Sequence, residues 1–189
     1  MTTTHTPDAP VHGLPCPGCG TTVTVTTIQR DVLHELAWGA STHQITEYLD
    51  ARGIHSALPP TIKSRGAAEV DAIQRTLNAS GCNDAVDIAC RLRILVPPKG
   101  LRLPPKGIPE GLLRTAALIA RGMDHAAVAH QLGLKEKSVS GHMARLRALL
   151  GAANTPHAIY SLHALDQLPA HHPCPCRYPF SAHRSQDKR

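Results

Sequence analysis

The fold of this chain is decided by residues 118–151, which read LIARGMDHAAVAHQLGLKEKSVSGHMARLRALLG. Gly122 ends one helical segment, and Asp124 is a favourable N-cap for the short helix that follows it. A tight turn at Gly133 then leads into a longer helix over Glu136–Leu150. This succession of helix, glycine, cap and tight turn predicts a helix-turn-helix.

The flanking segments extend this motif to a block of four helices over residues 108–168. Apolar residues recur with the helical period over residues 112–121, which gives a first helix. Gly151 ends the long helix because glycine is favoured just past a helix end. A fourth helix is predicted to begin with Thr155 as its cap and Pro156 as its first residue.

This order of elements resembles the LuxR/FixJ-type DNA-binding domain along residues 108–168. By that resemblance, the helix over Glu136–Leu150 would lie in the major groove with its N-terminal half toward the base edges. The resemblance implies a bacterial, non-enzymatic transcriptional regulator that binds double-stranded DNA. The matching residues are Leu118, Ala120, Gly122, Val128, Ala129, Leu132, Glu136, Lys137, Ser138, Val139, His142, Leu150, Gly151, Ala158 and Ile159.

The residues expected to contact DNA combine short and basic side chains. Ser140, Gly141 and Ala144 fall where the family commonly reaches bases, but short side chains are poorly suited to bidentate base readout. The neighbouring lysines and arginines would contact phosphates. Lys135 stands where the family usually has a capping serine. The full set is Lys135, Lys137, Ser138, Ser140, Gly141, His142, Ala144, Arg145 and Arg147.

Residues 30–96 read as a diverged copy of the same block. Setting Gly39 on Gly122 brings the predicted caps Ser41 and Asp124 into register. The first copy then has ten additional residues. Beyond them, Ile73 aligns with Leu146, Leu77 with Leu150, and Ala85 and Val86 with Ala158 and Ile159.

The first copy differs from the second in its charge. Between Asp31 and Arg93 there are six Lys or Arg and eight Asp or Glu, so this block is net acidic. Phosphate contacts could survive at Lys63, Arg65 and Arg75, or the block could serve protein contact and pairing instead. The two blocks could pair within one chain, or the chain could form a homodimer through the fourth helix, at about residues 156–165.

Cysteines near both ends of the chain suggest a zinc site. Cys16-Pro-Gly-Cys19 places two thiolates on a tight turn, as in a zinc knuckle. Cys174 and Cys176 are the best candidates to complete a tetrahedral site, with His171 or His172 as replacements. A redox dithiol and an iron–sulfur site remain alternatives. Cys82 and Cys90 fall on helical faces and are predicted to be core residues.

The predicted organisation has five parts. Residues 1–29 form a lead, disordered over 1–15, with the knuckle and a short strand over Thr21 to Ile28. Residues 30–96 and 108–168 form the two helical blocks, joined by the linker 97–107, in which Pro-Pro-Lys-Gly occurs twice and favours an extended conformation. Residues 169–189 form a tail rich in Cys, His and Pro. The predicted fold class is all-α, with tandem helix-turn-helix bundles and a small N-terminal β element.

Composition is consistent with this reading. The formal net charge of +6 suits a polyanionic partner, and only 3% of the residues are aromatic, which favours helical bundles filled by Leu, Ile, Val and Ala. No apolar run could span a membrane, and no signal-peptide pattern is present, so a cytoplasmic, nucleoid-associated protein is expected. Alternatives are an adaptor that binds polymerase or another regulator, and a thiol redox protein.

Overall fold

The computed structural model describes residues 9–16, 19–54 and 64–168. Within these ranges the chain forms eight helices and one two-stranded antiparallel sheet, which confirms the prediction of a mostly helical protein. The strands are β1, Pro10–His12, and β2, Thr24–Thr26. The helices are α1, Thr27–Ala37; α2, Thr42–Ala51; α3, Arg65–Leu77; α4, Cys82–Arg91; α5, Glu110–Ala120; α6, His125–Leu132; α7, Glu136–Leu150; and α8, Thr155–Ala164.

The N-terminal hairpin corrects two predictions. Strand β1 lies inside the segment predicted to be disordered, and it pairs with β2 so that Val11 faces Val25. The predicted strand over Thr21 to Ile28 was too long, because α1 already begins at Thr27. Thr26 and Gln29 form a capping box in which each side chain accepts from the backbone amide of the other, at 3.1 and 3.0 Å.

The helices form two sequential blocks, α1–α4 and α5–α8, that share one hydrophobic core. The fully buried side chains at its centre come from both blocks, among them Leu33, Ile45, Ile73, Leu146 and Ile159. All of them belong to one contiguous cluster. Helix α4 packs on α8, α1 packs on α8, and α4 packs on α5, so the fourth helix of each block contacts the other block.

The helix starts and turns agree in register between the blocks. Gly39 and Gly122 both adopt positive φ, at 92° and 78°, a conformation that glycine tolerates best. Ser41 caps α2 and Asp124 caps α6, as predicted, each accepting from the third amide of its helix. The long helix over Glu136–Leu150 is also confirmed.

Helix α8 begins differently from the prediction. Asn154 is its cap, since the side-chain oxygen accepts from the His157 amide at 3.1 Å. The predicted cap, Thr155, is the first residue of the helix, and Pro156 is the second. Both arrangements suit proline, whose missing N–H has no intrahelical partner in the first turn.

The linker bends twice instead of remaining extended. Gly100 and Gly107, the last residues of the two Pro-Pro-Lys-Gly repeats, adopt φ of 95° and 68°. In the second repeat the Gly107 amide donates to the Pro104 carbonyl at 2.7 Å, which closes a turn. The lysines of both repeats are exposed.

A buried ionic cluster joins the two blocks. Asp87 of α4 is 3% exposed; its carboxylate accepts from Arg91 Nε at 2.7 Å and pairs with His163 Nε2 of α8 at 2.8 Å. Burial alone would raise the pKa of Asp87, but the bonds and charges of His163 and Arg91 outweigh it and lower that pKa. Because His163 belongs to the other block, the cluster fixes α4 against α8.

In the described residues, no helix combines the length and apolar character that crossing a bilayer would require.

Candidate nucleic-acid interface

The α6–α7 pair is held by a short, rigid connection. Gly133 ends α6 at φ 64°, and the Leu134 amide donates back to the Ala129 carbonyl at 2.8 Å. Val128 of α6 and Val139 of α7 are fully buried. The angle between α6 and α7 is therefore set by packed side chains and a closed turn.

Helix α7 begins without a side-chain cap. Lys135 is the N-cap residue, and its side chain makes no capping bond. Its carbonyl accepts from the amides of Ser138 and Val139, at 2.8 and 3.2 Å. The helix dipole makes the N-terminal end of α7 positive, and the charge of Lys135 adds to this positive potential.

One face of α7 is solvent-exposed along its whole length, while the opposite face packs into the core through Val139, Met143 and Leu146. A Cβ placed on Gly141 would meet no atom within 4 Å, so the middle of the exposed face is open. Arg147 is only half-exposed. The exposed members of the predicted set are Lys135, Lys137, Ser138, Ser140, Gly141, Ala144 and Arg145.

His142 is separated from this exposed set. It is half-buried, and its Nδ1 lies 2.9 Å from Oγ1 of Thr115, a fully buried residue of α5. The Thr115 hydroxyl donates its one proton to the Gly111 carbonyl at 2.8 Å, so it accepts from Nδ1–H of His142. This bond ties α7 to α5. Sequence reasoning missed Thr115, because its partner lies 27 residues away.

Ser140 is exposed but not isolated. Its Oγ lies 3.0 Å from Nδ1 of His125, the first residue of α6. This contact bridges the starts of α6 and α7 on the exposed side of the pair. Nothing in the local spacing of His125 singles it out in the sequence.

In the sequence register of the two blocks, α3 of the first block aligns with α7 of the second. The surface of α3 differs from that of α7. The register that aligns Ile73 with Leu146 puts Ser64, Ala72 and Gln74 at the positions of Lys137, Arg145 and Arg147. Of the basic residues considered there, Arg65 binds the Asp50 carboxylate and the Ile54 carbonyl. Arg75 is exposed near the end of the helix, and Lys63 lies outside the described residues.

Cys16 and Cys19 lie between β1 and β2 along the chain. Cys16 is buried and Cys19 is half-exposed; the amides of Cys19 and Gly20 both donate to the Cys16 carbonyl, at 3.3 and 2.8 Å. Across the described ranges, no cluster of three or more His, Cys, Asp or Glu could hold a metal. The predicted ligands Cys174 and Cys176, with His171 and His172, lie outside those ranges.

The other two cysteines are packing residues, as predicted. Cys90 is buried and Cys82 is half-buried, and burial raises the pKa of both thiols. Gln74 Nε2 also donates to Cys82 Sγ at 3.5 Å. A raised thiol pKa disfavours the thiolate that nucleophilic or metal-binding chemistry requires.

Comparison of the chain with known protein families, with curated proteins and with solved structures gave no match.

Proposed function

We propose that this protein is a transcriptional regulator that binds duplex DNA by inserting α7 into the major groove. The observation that carries the proposal is the exposed face of α7, with small side chains at its centre and basic residues around them. In this proposal the α6–α7 pair is a helix-turn-helix of the LuxR type, and the first block is a diverged second copy.

The small residues at the centre favour close approach. The major groove is about 12 Å wide, which admits an α-helix only when its leading side chains do not hold it away. Ser140, Gly141 and Ala144 present little bulk, so the backbone of α7 can lie deep in the groove. The Ser140 hydroxyl can donate or accept one hydrogen bond at a base edge, and the Ala144 methyl can contact a thymine methyl.

The basic residues around this centre supply the affinity. Lys135 and Lys137 lie at the start of α7, beside amides that can donate to a phosphate. Arg145 and Arg147 lie two turns further along the same helix. If all four neutralise phosphates, log K falls against log salt with a slope of about −3 to −4.

The test is a salt titration of binding to a 30-base-pair duplex pool, followed by fluorescence anisotropy. We expect Lys137→Ala combined with Arg145→Ala to reduce the slope by about 2 and the affinity by at least tenfold. The control is Arg30→Ala combined with Arg52→Ala, which makes the same change in net charge. These two residues lie half-exposed on the first block, beside Asp31.

The control variant should bind as the unmodified protein does. Equal losses in both variants would mean that only net charge matters, and the α7 interface would be wrong. No duplex binding at low salt would overturn DNA binding altogether. The adaptor function would then stand, with Leu134 and Leu149, which border the exposed face and are themselves exposed, as its contact residues.

A zinc ion is proposed to bind the N-terminal turn. Cys16 and Cys19 lie on one hairpin, and two thiolates on a tight turn supply one half of a tetrahedral site. Cys174 and Cys176 would supply the other half. Metal analysis of the purified chain should give one zinc per molecule, lost in Cys16→Ser and in Cys174→Ser. Retention of zinc in Cys174→Ser would exclude the shared site.

A further inference from the structure

Two glycines make the same contact in opposite directions between the blocks. A Cβ on Gly39 would lie 2.9 Å from Cβ of Ala153, and one on Gly122 would lie 3.1 Å from Cβ of Ser80. Gly39 corresponds to Gly122 and Ser80 corresponds to Ala153 in the register of the two blocks. Each of the two glycines therefore lies against the equivalent position of the other block.

Each of the two glycines also accepts one hydrogen bond from the other block, although the donors stand at adjacent and not equivalent positions of the register. The Gly39 carbonyl accepts from Asn154 Nδ2 at 2.9 Å, and the Gly122 carbonyl accepts from Ser80 Oγ at 3.4 Å. The helix contacts follow the same rule, because α1 with α8 is the counterpart of α5 with α4. Reciprocal contacts between equivalent positions are the property of an isologous, twofold interface.

This internal contact covers the surfaces that a second copy would need. Helix α4 buries Ala85 to Cys90, and α8 buries Ala158 to Leu162. Among the described residues, none of the exposed large hydrophobic side chains lies on α4 or α8, although Trp38 at the end of α1 borders the contact and packs against Tyr160 of α8. No apolar face of α4 or α8 is left to pair with another molecule.

The first block also lacks a second reading helix. As described above, polar or small residues replace three of the four basic side chains of α7 in α3. Helix α3 also carries Asp71, which is half-exposed and whose negative charge would repel phosphates. The paired structure therefore presents one basic reading face and not two.

We infer that this chain pairs with itself instead of with a second copy, and binds DNA as a monomer at one asymmetric site. The inference rests on the proposed function and adds to it the stoichiometry and the symmetry of the target. A symmetric dimer would need two half-sites about 34 Å apart, one turn of the DNA helix. A single DNA-reading helix needs only one half-site, so its target would contain no inverted repeat.

Four measurements on the full chain test this inference. Light scattering after size exclusion should give one species of 20.2 kDa, the mass of a single chain. Selection from random duplex DNA should return a site without an inverted repeat, bound by one chain per duplex in native mass spectrometry. Arg75→Ala, on α3, should leave affinity unchanged within twofold, whereas Lys137→Ala, on α7, should lower it at least fivefold.

A dimer in solution, two chains per site, a palindromic site, or equal losses in the two variants would overturn the inference while leaving DNA binding intact. Absence of any DNA binding would instead defeat the proposed function. The solution mass would still decide the pairing in that case, because it is measured without DNA.

Discussion

The two halves of the contact between the blocks occupy equivalent positions but use different chemistry. On one half, Trp38 packs against Tyr160, with ring centroids 6.0 Å apart. The corresponding positions on the other half hold Arg121 and Asp87, and Asp87 forms ion pairs with Arg91 and His163. In a homodimer one substitution changes both halves at once. Within a single chain each half can change alone, and here one is aromatic and the other ionic.

The largest effect is expected in the ionic half. Asp87→Ala removes the carboxylate that pairs with Arg91 and His163, both of which are largely buried. Removing one member of a buried ion pair costs about 3 to 5 kcal/mol of unfolding free energy. Chemical denaturation followed by circular dichroism measures this. The control is Glu47→Ala, an exposed residue beside His43, for which a change below about 0.5 kcal/mol is expected. Similar losses in the two variants would show that Asp87 is not a structural link.

The glycines at the contact should be next in effect. Gly122→Ala and Gly39→Ala combine a left-handed backbone, which costs about 1 to 3 kcal/mol, with a clash against the other block. Gly151→Ala is the matched control, since it has φ 62° but open space around it. Unfolding free energies should place Gly151→Ala nearest to the unmodified protein. If all three variants lose the same stability, the backbone alone is responsible and the close approach contributes nothing.

A smaller effect is expected in the aromatic half. Trp38 is half-exposed, and its ring lies tilted against His157 and edge-on to Tyr160. Trp38→Ala should cost about 1 kcal/mol, in the range of a single aromatic pair, and Trp38→Phe should recover part of it. Trp38 is the only tryptophan, so its fluorescence reports this half directly. A fluorescence transition well below the denaturant midpoint from circular dichroism would show that the halves separate independently.

Acidification should weaken the two halves at different pH. Burial lowers the pKa of His157, so the unfolded chain takes up its proton first and stability falls as the pH drops below about 6.5. The pKa of Asp87 is also lowered, so its contribution is full above about pH 3.9 and is lost below it. Unfolding measured from pH 8 to 3 should lose the upper step in His157→Gln and the lower step in Asp87→Asn. A single step shared by both variants would contradict the assignment.

Local signals predicted several helix starts and ends in both blocks. The bounds of α7 and the caps Ser41 and Asp124 followed from residue types within one helical turn. Strand β1 could not be predicted in the same way, because three residues pair only through a partner 12 or more positions along the chain. The cap of α8 was wrong by one residue, since Asn154 and Thr155 are both good capping residues.

The contacts between helices at the candidate site could not be predicted from local sequence patterns. The basic and small residues of α7 were visible in the sequence, but the half-buried position of His142 depends on Thr115 of another helix. The link between Asp87 and His163 joins residues 76 positions apart. Such pairs are set by how helices pack, and a single sequence carries no periodic signal for them.

The doubly bent linker has a consequence for how the protein responds to its own abundance. A short tether holds its two ends at an effective concentration in the millimolar range, whatever the number of molecules in the cell. A regulator assembled from two chains loses its active form on dilution, and its occupancy rises steeply with copy number. If the proposed DNA binding and pairing within one chain hold, residues 97–107 remove that threshold, and occupancy of a target should rise in simple proportion from the first few molecules made.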